Sequence, residues 1–261
     1  MSLSEASSHK IITLITDFGY KDPFVGQMKG VILKISPHVK IVDITHDISS
    51  HNIEEASFFL YTTFKYFPEE SIHIVVVDPE VGSGRKALAL KSQEHYFLAP
   101  DNGVLSYVIK DKPFKAVSIE NEKYILKKES PTFQGRDIFA PTAAWLSRGV
   151  SLEEFGRAVP DPVLIDVSMP YQIQGKIIGK IIHIDKFGNA ITNIETKKEM
   201  INHVRINNLK LQIVNCYSES PQKPAAIINS DGFVEIFIYQ GSAEKTLNLK
   251  KDDSVEVILH G

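Results

Sequence analysis

The feature that most constrains the fold is an alternation of strand-like and helix-like runs in the first part of the chain. Apolar, β-rich runs at 11–16, 40–45 and 71–77 flank segments 24–35 and 52–66, whose apolar residues recur at helical spacing. Strands that alternate with helices form βαβ units, in which the strands of one sheet run mostly parallel. The chain is therefore expected to begin with an α/β domain built around a mostly parallel sheet.

Capping and turn residues add detail to this domain. Asn52 is predicted to cap the second helix, with Glu55 at the capping-box position. Residues 87–100 are typical of a hairpin whose second strand covers 95–99, and residues 139–148 are predicted to form a helix. Ligands of parallel sheets bind beyond the carboxyl ends of the strands. Three polar clusters fall at such ends: 17–22, 78–85 and 101–102.

The pattern changes near residues 159–171, where VPDPVLIDVSMPY holds three prolines and is typical of a linker. Short strand-like runs follow, with few helical signals between them, and indicate a smaller antiparallel β-domain. These runs are 176–184, 209–214, 225–228, 233–238 and 255–259. We predict a disordered N-terminus over 1–10, an α/β domain over 11–168 and an all-β domain over 169–261.

Composition excludes several classes of protein. The 261 residues carry a net charge of −3, which is not the strongly basic balance of a dedicated nucleic-acid binder. Cys216 is the one cysteine, so an intrachain disulfide and a cysteine-rich metal site are both excluded. No apolar run approaches the roughly 20 residues that span a bilayer, and residues 1–10 do not resemble a signal peptide. We expect a cytoplasmic protein without a metal, a bound cofactor or a membrane partner.

Two segments of the α/β domain combine turn residues with polar groups. In TDFGYKDPF (16–24), Asp17 follows a strand directly and could accept two hydrogen bonds from a sugar diol. Asp22 is either a pocket residue or the N-cap of the next helix. In VVVDPEVGSGRKAL (75–88), Asp78 precedes Arg85 by seven residues, with two glycines between them. The two side chains form either a loop ion pair or a device that holds a polar nucleophile such as water.

Two later segments show similar combinations. In PTFQGRDIFAP (131–141), we expect Asp137 to be an N-cap and Arg136 to form a structural ion pair, whereas Phe133 and Gln134 could face a pocket. In HIDKFGNAITNI (183–194), a carboxylate, an aromatic ring and an amide lie close together, which suits a purine and an ammonium group. An Asx turn is the alternative, although it leaves the aromatic side chain unexplained.

Together these segments resemble the S-adenosyl-L-methionine hydroxide adenosyltransferases, whose relatives include fluorinating and chlorinating enzymes. TDFG, DITH, VDPEVGSGR, APDNG, GRDIFAP and DKFGNAITNI occur in the family's order, and the resemblance extends from about Ile11 to Leu259. It implies an N-terminal α/β domain and a barrel-like β-domain that binds adenine and methionine. It also implies a homotrimer, in which each active site lies between the N-terminal domain of one chain and the C-terminal domain of its neighbour.

The resemblance assigns substrate contacts position by position. Asp17 would bind the ribose hydroxyls, Asp185 the methionine amino group and Ser230 the methionine carboxylate. The remaining assignments concern adenine and the pocket walls. Asn189 would bind the adenine edge and Phe187 and Tyr217 its faces, and Phe18, Asp22, Asn102 and Phe133 are further pocket candidates.

The catalytic set departs from the family at one position. Hydrolytic members place Asp, Arg and His around the attacking water, and Asp78 and Arg85 match the first two. Gln134 occupies the position of the histidine, and an amide can orient water but cannot act as a titrating base. The leaving group, neutral methionine, needs no general acid. Catalysis therefore reduces to aligning water behind the ribose 5′-carbon and removing its proton.

Three hypotheses follow for function. The first is hydrolysis of S-adenosyl-L-methionine to adenosine and L-methionine. The second is a halide-using enzyme that forms a 5′-halo-5′-deoxyadenosine, which is disfavoured because Asp78 would place negative charge beside the incoming halide. The third is a non-catalytic or attenuated adenosyl-binding protein, which the glutamine at position 134 keeps open.

Overall fold

The computed structural model describes residues 10–127, 130–166 and 169–260. The chain divides into two compact units, Met1–Val167 and Ser168–Gly261, here called the N-terminal and C-terminal units. The disordered segment predicted over residues 1–10 lies outside the described residues except for Lys10, and so do the residues on the N-terminal side of the predicted domain boundary, 167 and 168. No helix of the described ranges is long and apolar enough to cross a bilayer.

The N-terminal unit is an α/β fold around a six-stranded sheet, as predicted. Its elements are β1 (Ile11–Thr16), α1 (Phe24–Ile35), β2 (Lys40–Thr45), α2 (Ile53–Thr63), β3 (Ile72–Val76), β4 (Ala87–Ser92), β5 (His95–Pro100), α3 (Ser106–Ile109), β6 (Phe114–Ser118) and α4 (Ala140–Ser147). The strand order is β2-β1-β3-β5-β4-β6. The first four strands of that order run parallel, and β4 is antiparallel to both of its neighbours.

The central strands are buried on both faces, which explains their continuous apolar sequence. Successive side chains of β1 point to opposite faces of the sheet. Ile12 and Leu14 join the cluster that includes residues of α1 and α4, whereas Ile15 joins the cluster that includes residues of α2 and α3. This arrangement places the carboxyl ends of β1 and β3 side by side at one edge of the sheet.

Helix ends agree with the sequence only in part. The side chain of Asn52 accepts from the backbone N–H of Glu55 at 3.1 Å, which confirms the predicted cap of α2. The predicted helix 52–66 changes after Thr63 into a 3-10 turn over Phe64–Tyr66. The N-cap alternative for Asp22 is wrong, because α1 begins after an N-cap proline without any side-chain cap.

The segment before α4 is a π-helix over Gly135–Phe139. Asp137 lies inside that π-helix and is buried, so the prediction that it caps a helix is wrong. The predicted ion pair is confirmed, since Nε of Arg136 lies 2.6 Å from the Asp137 carboxylate. The helix predicted over 139–148 is therefore preceded by a π-helical turn that begins four residues earlier, at Gly135.

The C-terminal unit is all-β, as predicted, with one short helix. Its elements are β7 (Tyr171–Ile173), β8 (Lys176–Ile184), β9 (Ala190–Glu195), β10 (Ile201–Ile206), β11 (Leu209–Leu211), β12 (Pro224–Ile228), β13 (Phe233–Ile238), α5 (Ala243–Leu247) and β14 (Ser254–Leu259). The order is β11-β10-β14-β8-β9-β13-β12, and β7 pairs with β8. A bridge from Ile213, just after β11, to Ala226 on β12 brings the two ends of that order together. The sheet is consequently an almost closed barrel.

Candidate active site

A cavity of about 470 Å³ opens in the N-terminal unit beside the ends of β1 and β3; we call it the N-terminal cavity. Five residues that the sequence singled out line it together: Asp17, Phe18, Asp78, Phe133 and Gln134. The sequence analysis missed other lining residues: Phe24, Ser50, His51, Val81 and Thr132. Residues from four separate segments converge here, and two of these segments follow the carboxyl ends of β1 and β3, which meet at this edge of the sheet.

Asp17 is held in place by the loop that precedes α2. The backbone N–H of His51 donates to Oδ2 of Asp17 at 2.9 Å, and the imidazole Nδ1 lies 4.0 Å from the same oxygen. The Asp17 side chain is 10% exposed, whereas the imidazole is 71% exposed. The signal that could have identified His51 is its position just before the helix cap at Asn52, in the loop after β2, which neighbours β1.

Buried polar groups fix the turn that carries Asp17. The Oγ1 of Thr16 lies 2.8 Å from Nδ1 of the fully buried His46 and accepts from the backbone N–H of Phe18 at 3.2 Å. The carbonyl of His46 accepts from the backbone N–H of Gly19 at 2.8 Å. The DITH segment thus serves as the support of the TDFG turn.

A charged pair stands behind that support. Nε2 of His46 lies 3.1 Å from Oδ1 of Asp43, and Nζ of Lys29 lies 2.5 Å from Oδ2. Burial by itself would raise the pKa of Asp43, but the hydrogen bond from Lys29 and the nearby His46 ring hold that pKa below its ordinary value. Asp43 is therefore a stable anion that anchors the imidazole.

Asp78 and Arg85 form a two-point ion pair, as one of the sequence alternatives proposed. Nε of Arg85 donates to Oδ1 of Asp78 at 3.0 Å, and Nη2 donates to Oδ2. Their side chains are only 4% and 5% exposed. A further bond from Nη1 to the carbonyl of Lys86, at 3.0 Å, fixes the guanidinium plane. Bidentate pairs of this kind set orientation as well as charge.

Gln134 lines the N-terminal cavity and carries a buried polar atom without a partner. The residue is 9% exposed, and its Oε1 has no hydrogen-bond partner among the described residues. Gln134 is the N-cap of the π-helix, a conformation that is enriched at functional sites. An unsatisfied amide oxygen in a buried position costs on the order of 1–3 kcal/mol, so a bound water or ligand group is the expected partner.

Three aromatic rings form an apolar wall of the same cavity. Phe18, Phe24 and Phe133 meet edge to face, with ring centroids 5.2–5.8 Å apart. The guanidinium of Arg136 lies over the outer ring, 5.1 Å from the centroid of Phe133. Close contact at Gly135 holds this wall, because a Cβ there would lie 3.1 Å from the Phe133 ring.

A second cavity of about 430 Å³, the C-terminal cavity, lies in the C-terminal unit. Four residues from the sequence analysis line it: Asp185, Phe187, Asn189 and Tyr217. The others are Ile238, the last residue of β13, and the three residues that follow it, Tyr239, Gln240 and Gly241. Phe187 and Tyr217 are 65% and 41% exposed, so two aromatic rings are available to a flat ligand.

The loop between β8 and β9 shapes one side of the C-terminal cavity. Oδ1 of Asp185 accepts from the backbone N–H of Phe187 at 2.8 Å and of Asn189 at 2.9 Å. Oδ2 accepts from the Asn189 amide at 3.0 Å. The loop therefore does contain an Asx turn, and Asp185 makes it.

Tyr217 is hydrogen-bonded to a carboxylate, that of Glu235, which was not predicted from the sequence. Its hydroxyl donates to Oε1 of Glu235 at 2.9 Å. Burial, with the negative charges of Glu235 and Asp185, raises the pKa of Tyr217 to about 12. Burial also raises the pKa of Glu235, although the hydrogen bond from Tyr217 opposes this shift. The available signal was a glutamate within the otherwise apolar strand FVEIFI.

Both units match one family of known proteins. Residues 12–156 match the SAM hydroxide adenosyltransferase N-terminal domain, and residues 179–256 match the C-terminal domain of the same family. The chain belongs to the SAM hydroxide adenosyltransferase family. The resemblance read from six short motifs is confirmed.

Members of the SAM hydroxide adenosyltransferase family and their relatives align with almost the whole chain. A Methanocaldococcus jannaschii protein named (R)-S-adenosyl-L-methionine hydrolase is 36% identical over 95% of this chain and 95% of its own. A Thermus thermophilus protein of the same name is 30% identical over 95% and 99%. A fluorinase from an Actinoplanes species is 27% identical over 97% and 98%. A solved structure of an uncharacterized conserved protein from Thermotoga maritima has a TM-score of 0.89 at 34% identity, covering 95% of this chain and 99% of that one.

Three predicted substrate residues of this SAM hydroxide adenosyltransferase do not line either cavity. Asp22 is exposed in the turn before α1. The buried amide of Asn102 donates to the carbonyl of Val77 and accepts from the N–H of Val104. Ser230 is exposed on the β12–β13 turn. Within the described ranges, no group of three histidine, cysteine or acidic residues is arranged to hold a metal ion.

Proposed function

We propose that the chain hydrolyses (R)-S-adenosyl-L-methionine to adenosine and L-methionine, by attack of water at the ribose 5′-carbon. Relatives that carry the hydrolase name align over the full chain at 30–36% identity. The observation that carries the proposal is that Asp78 lines the N-terminal cavity together with Gln134, while Arg85, which does not line the cavity, pairs with Asp78 from behind. These groups suit a bound water better than an apolar ligand.

The sulfonium substrate explains why so few catalytic groups suffice. Its leaving group departs as neutral methionine, so no side chain has to donate a proton to it. The protein has to place water in line with the breaking carbon–sulfur bond and accept the proton that the water loses, for which Asp78 is the candidate acceptor. Asp78 and Gln134 would each accept a hydrogen bond from that water, and Arg85 would keep the carboxylate in position. This division gives Gln134 an orienting role, since an amide does not titrate.

Substrate recognition is divided between the two cavities in this proposal. Asp17 would accept hydrogen bonds from the ribose hydroxyls. Asp185 keeps capacity for the methionine ammonium group, because an ionised carboxylate has about four acceptor sites and three bonds are used. Asn189 would bind the adenine edge between Phe187 and Tyr217. No cofactor is needed for this reaction, and we propose none.

We further propose a cytoplasmic homotrimer, in which the N-terminal unit of one chain and the C-terminal unit of its neighbour complete each active site. The support is that each cavity carries only part of the groups that the substrate needs. The N-terminal cavity has the water-holding pair, and the C-terminal cavity has the aromatic faces. Sedimentation analysis of the purified protein tests the trimer, and a monomer that is fully active would contradict it.

Product analysis tests the proposed reaction. The protein is incubated with (R)-S-adenosyl-L-methionine, with and without fluoride or chloride, and the products are separated by chromatography. Adenosine and methionine in equal amounts, independent of halide, are expected. A 5′-halo-5′-deoxyadenosine would establish the alternative that the fluorinase relatives suggest. Ligand binding without any adenosine above the buffer control would establish a binding protein and contradict the proposal.

A further inference from the structure

A buried carboxylate stands behind the C-terminal cavity without lining it. Glu235 lies in the middle of β13 and is 4% exposed, between the fully buried Val234 and Ile236. None of the described lysines, arginines or histidines pairs with it. A buried carboxylate without a cation is costly unless other donors satisfy it. Its hydrogen-bond partners therefore indicate what the position is for.

The first partner is a ring of the cavity wall. Tyr217 donates its hydroxyl to Oε1 of Glu235 at 2.9 Å. The ring also meets Phe237 edge to face, with centroids 4.8 Å apart. Tyr217 itself begins a one-turn 3-10 helix over Tyr217–Glu219, so no strand pairing fixes its backbone. The direction of this ring depends on the contacts at its far end.

The second partner belongs to the β12–β13 turn. The side chain of Asn229 faces Glu235 and opposes the rise in the pKa of that carboxyl. Its Oδ1 accepts from the backbone N–H groups of Asp231 and Phe233, both at 3.0 Å. Asn229 thus joins the buried carboxylate to the turn on which Ser230 is exposed. The Glu235 side chain therefore links the segments of Tyr217 and Asn229, which are twelve residues apart in the sequence.

We propose that Glu235 is a positioning residue that sets both the Tyr217 ring and the turn carrying Ser230. The inference rests on the proposed function, in which Tyr217 contacts adenine, and on the contact between Ser230 and the methionine carboxylate that the family resemblance implies. One buried carboxylate then couples the recognition of the two ends of the substrate. Glu235 thus affects the affinity for the ligand, whereas the catalytic groups lie in the N-terminal cavity.

The substitution Glu235→Gln breaks one of these two contacts while it preserves the shape of the side chain. The carboxylate offers two acceptor oxygens to two donors, the Tyr217 hydroxyl and the Asn229 amide. Glutamine offers one acceptor oxygen and one amide donor, so it can satisfy only one partner. Tyr217→Phe removes one donor and leaves the turn contact intact. The control is Glu256→Gln on β14, the same chemical change at a surface pair with Lys176.

Calorimetric binding of adenosine, of L-methionine and of S-adenosyl-L-methionine is measured for each variant, with turnover measured on the same samples. We expect Glu235→Gln to weaken adenosine or methionine binding on the order of tenfold, with kcat changed less than twofold. Tyr217→Phe should weaken adenosine alone, and Glu256→Gln should change neither. Unchanged affinities in a folded Glu235→Gln protein, or in Tyr217→Phe if the former does not fold, would overturn the inference. Binding without turnover in the unsubstituted protein would contradict the proposed function and leave this inference standing.

Discussion

In the N-terminal cavity the central carboxylate is paired with a cation, whereas the carboxylates in and behind the C-terminal cavity accept hydrogen bonds from neutral donors. Asp78 receives two bonds from Arg85, while Asp185 receives backbone and amide N–H groups and Glu235 a phenol hydroxyl. A charged, two-point pair fixes position and charge together. Neutral donors leave negative charge available to a cationic ligand. We infer that the first cavity is built for chemistry and the second for recognition.

The largest effect that separates the cavities is expected at Asp78. Asp78→Asn should lower kcat on the order of 10²–10⁴-fold, because it removes the acceptor that holds the attacking water. The affinity for S-adenosyl-L-methionine should change little. Steady-state kinetics and calorimetric binding measure the two quantities, and Glu80→Gln, an exposed residue of the same loop, is the control. A variant that loses affinity and keeps kcat would reverse the assignment of the two cavities.

A substitution in the other cavity should have the opposite signature. Phe187→Ala removes a ring that is 65% exposed and is proposed to stack on adenine. Base–aromatic stacking contributes about 1–3 kcal/mol, so adenosine should bind roughly 10–100-fold more weakly. The kcat at saturating substrate should stay within about twofold. A fall in kcat at unchanged affinity would show that this ring acts on the reaction itself.

A smaller effect is expected at Gln134, the position at which the family resemblance implies a histidine. Because the amide oxygen is already buried and unpartnered in the cavity, Gln134→His should change kcat by less than about tenfold. It should also introduce a pH dependence of kcat near the ordinary histidine pKa of about 6.5. The measurement is kcat from pH 5 to 8 for both proteins. A gain far above tenfold would show that the native site is attenuated.

The smallest difference concerns the response of the two units to acid. Burial, with the neighbouring His95, lowers the pKa of His73 to about 3. Between about pH 6.5 and pH 3, His73 is therefore protonated in the unfolded chain but neutral in the folded N-terminal unit. Its stability should fall as pH drops from 6.5 towards 3, by up to about 1.4 kcal/mol per pH unit. The raised pKa of Glu235 has the opposite sign, because the folded C-terminal unit binds a proton more readily than the unfolded chain.

Hydrogen exchange at pH 7 and pH 5 measures this contrast. Amides of β3 and β5 should lose protection relative to those of β13. His73→Gln should reduce the pH dependence in the N-terminal unit, and His38→Gln, an exposed histidine, should leave it unchanged. Equal losses of protection in the two units would contradict the opposite pH dependences of stability that His73 and Glu235 are expected to produce.

The sequence was most informative where local pattern and tertiary environment agree. The bounds predicted for β1, α1 and β2 are those observed, because each run has a single periodicity bounded by turn residues. Strands β9 and β10 were missed because polar residues interrupt their apolar pattern. The π-helix at Gly135–Phe139 has no local signal, since it depends on packing against Met28 and Phe133.

The same contrast applies to the site. Asp17, Asp78 and Gln134 follow or precede glycines in motifs that a sequence displays directly, and they meet in one cavity. His51 and Glu235 gain their roles only through contacts with residues far away in sequence. Nothing in the local sequence states which oxygen a buried carboxylate offers to which donor.

Turnover in water labelled with a heavy oxygen isotope tests the central claim most directly. Mass spectrometry of the adenosine formed from (R)-S-adenosyl-L-methionine is expected to show one labelled oxygen at the 5′-carbon, with unlabelled methionine. Asp78→Asn should form this product on the order of 10²–10⁴-fold more slowly. Adenosine without label, or no adenosine at all, would contradict the account of water held beside Asp78 and Gln134.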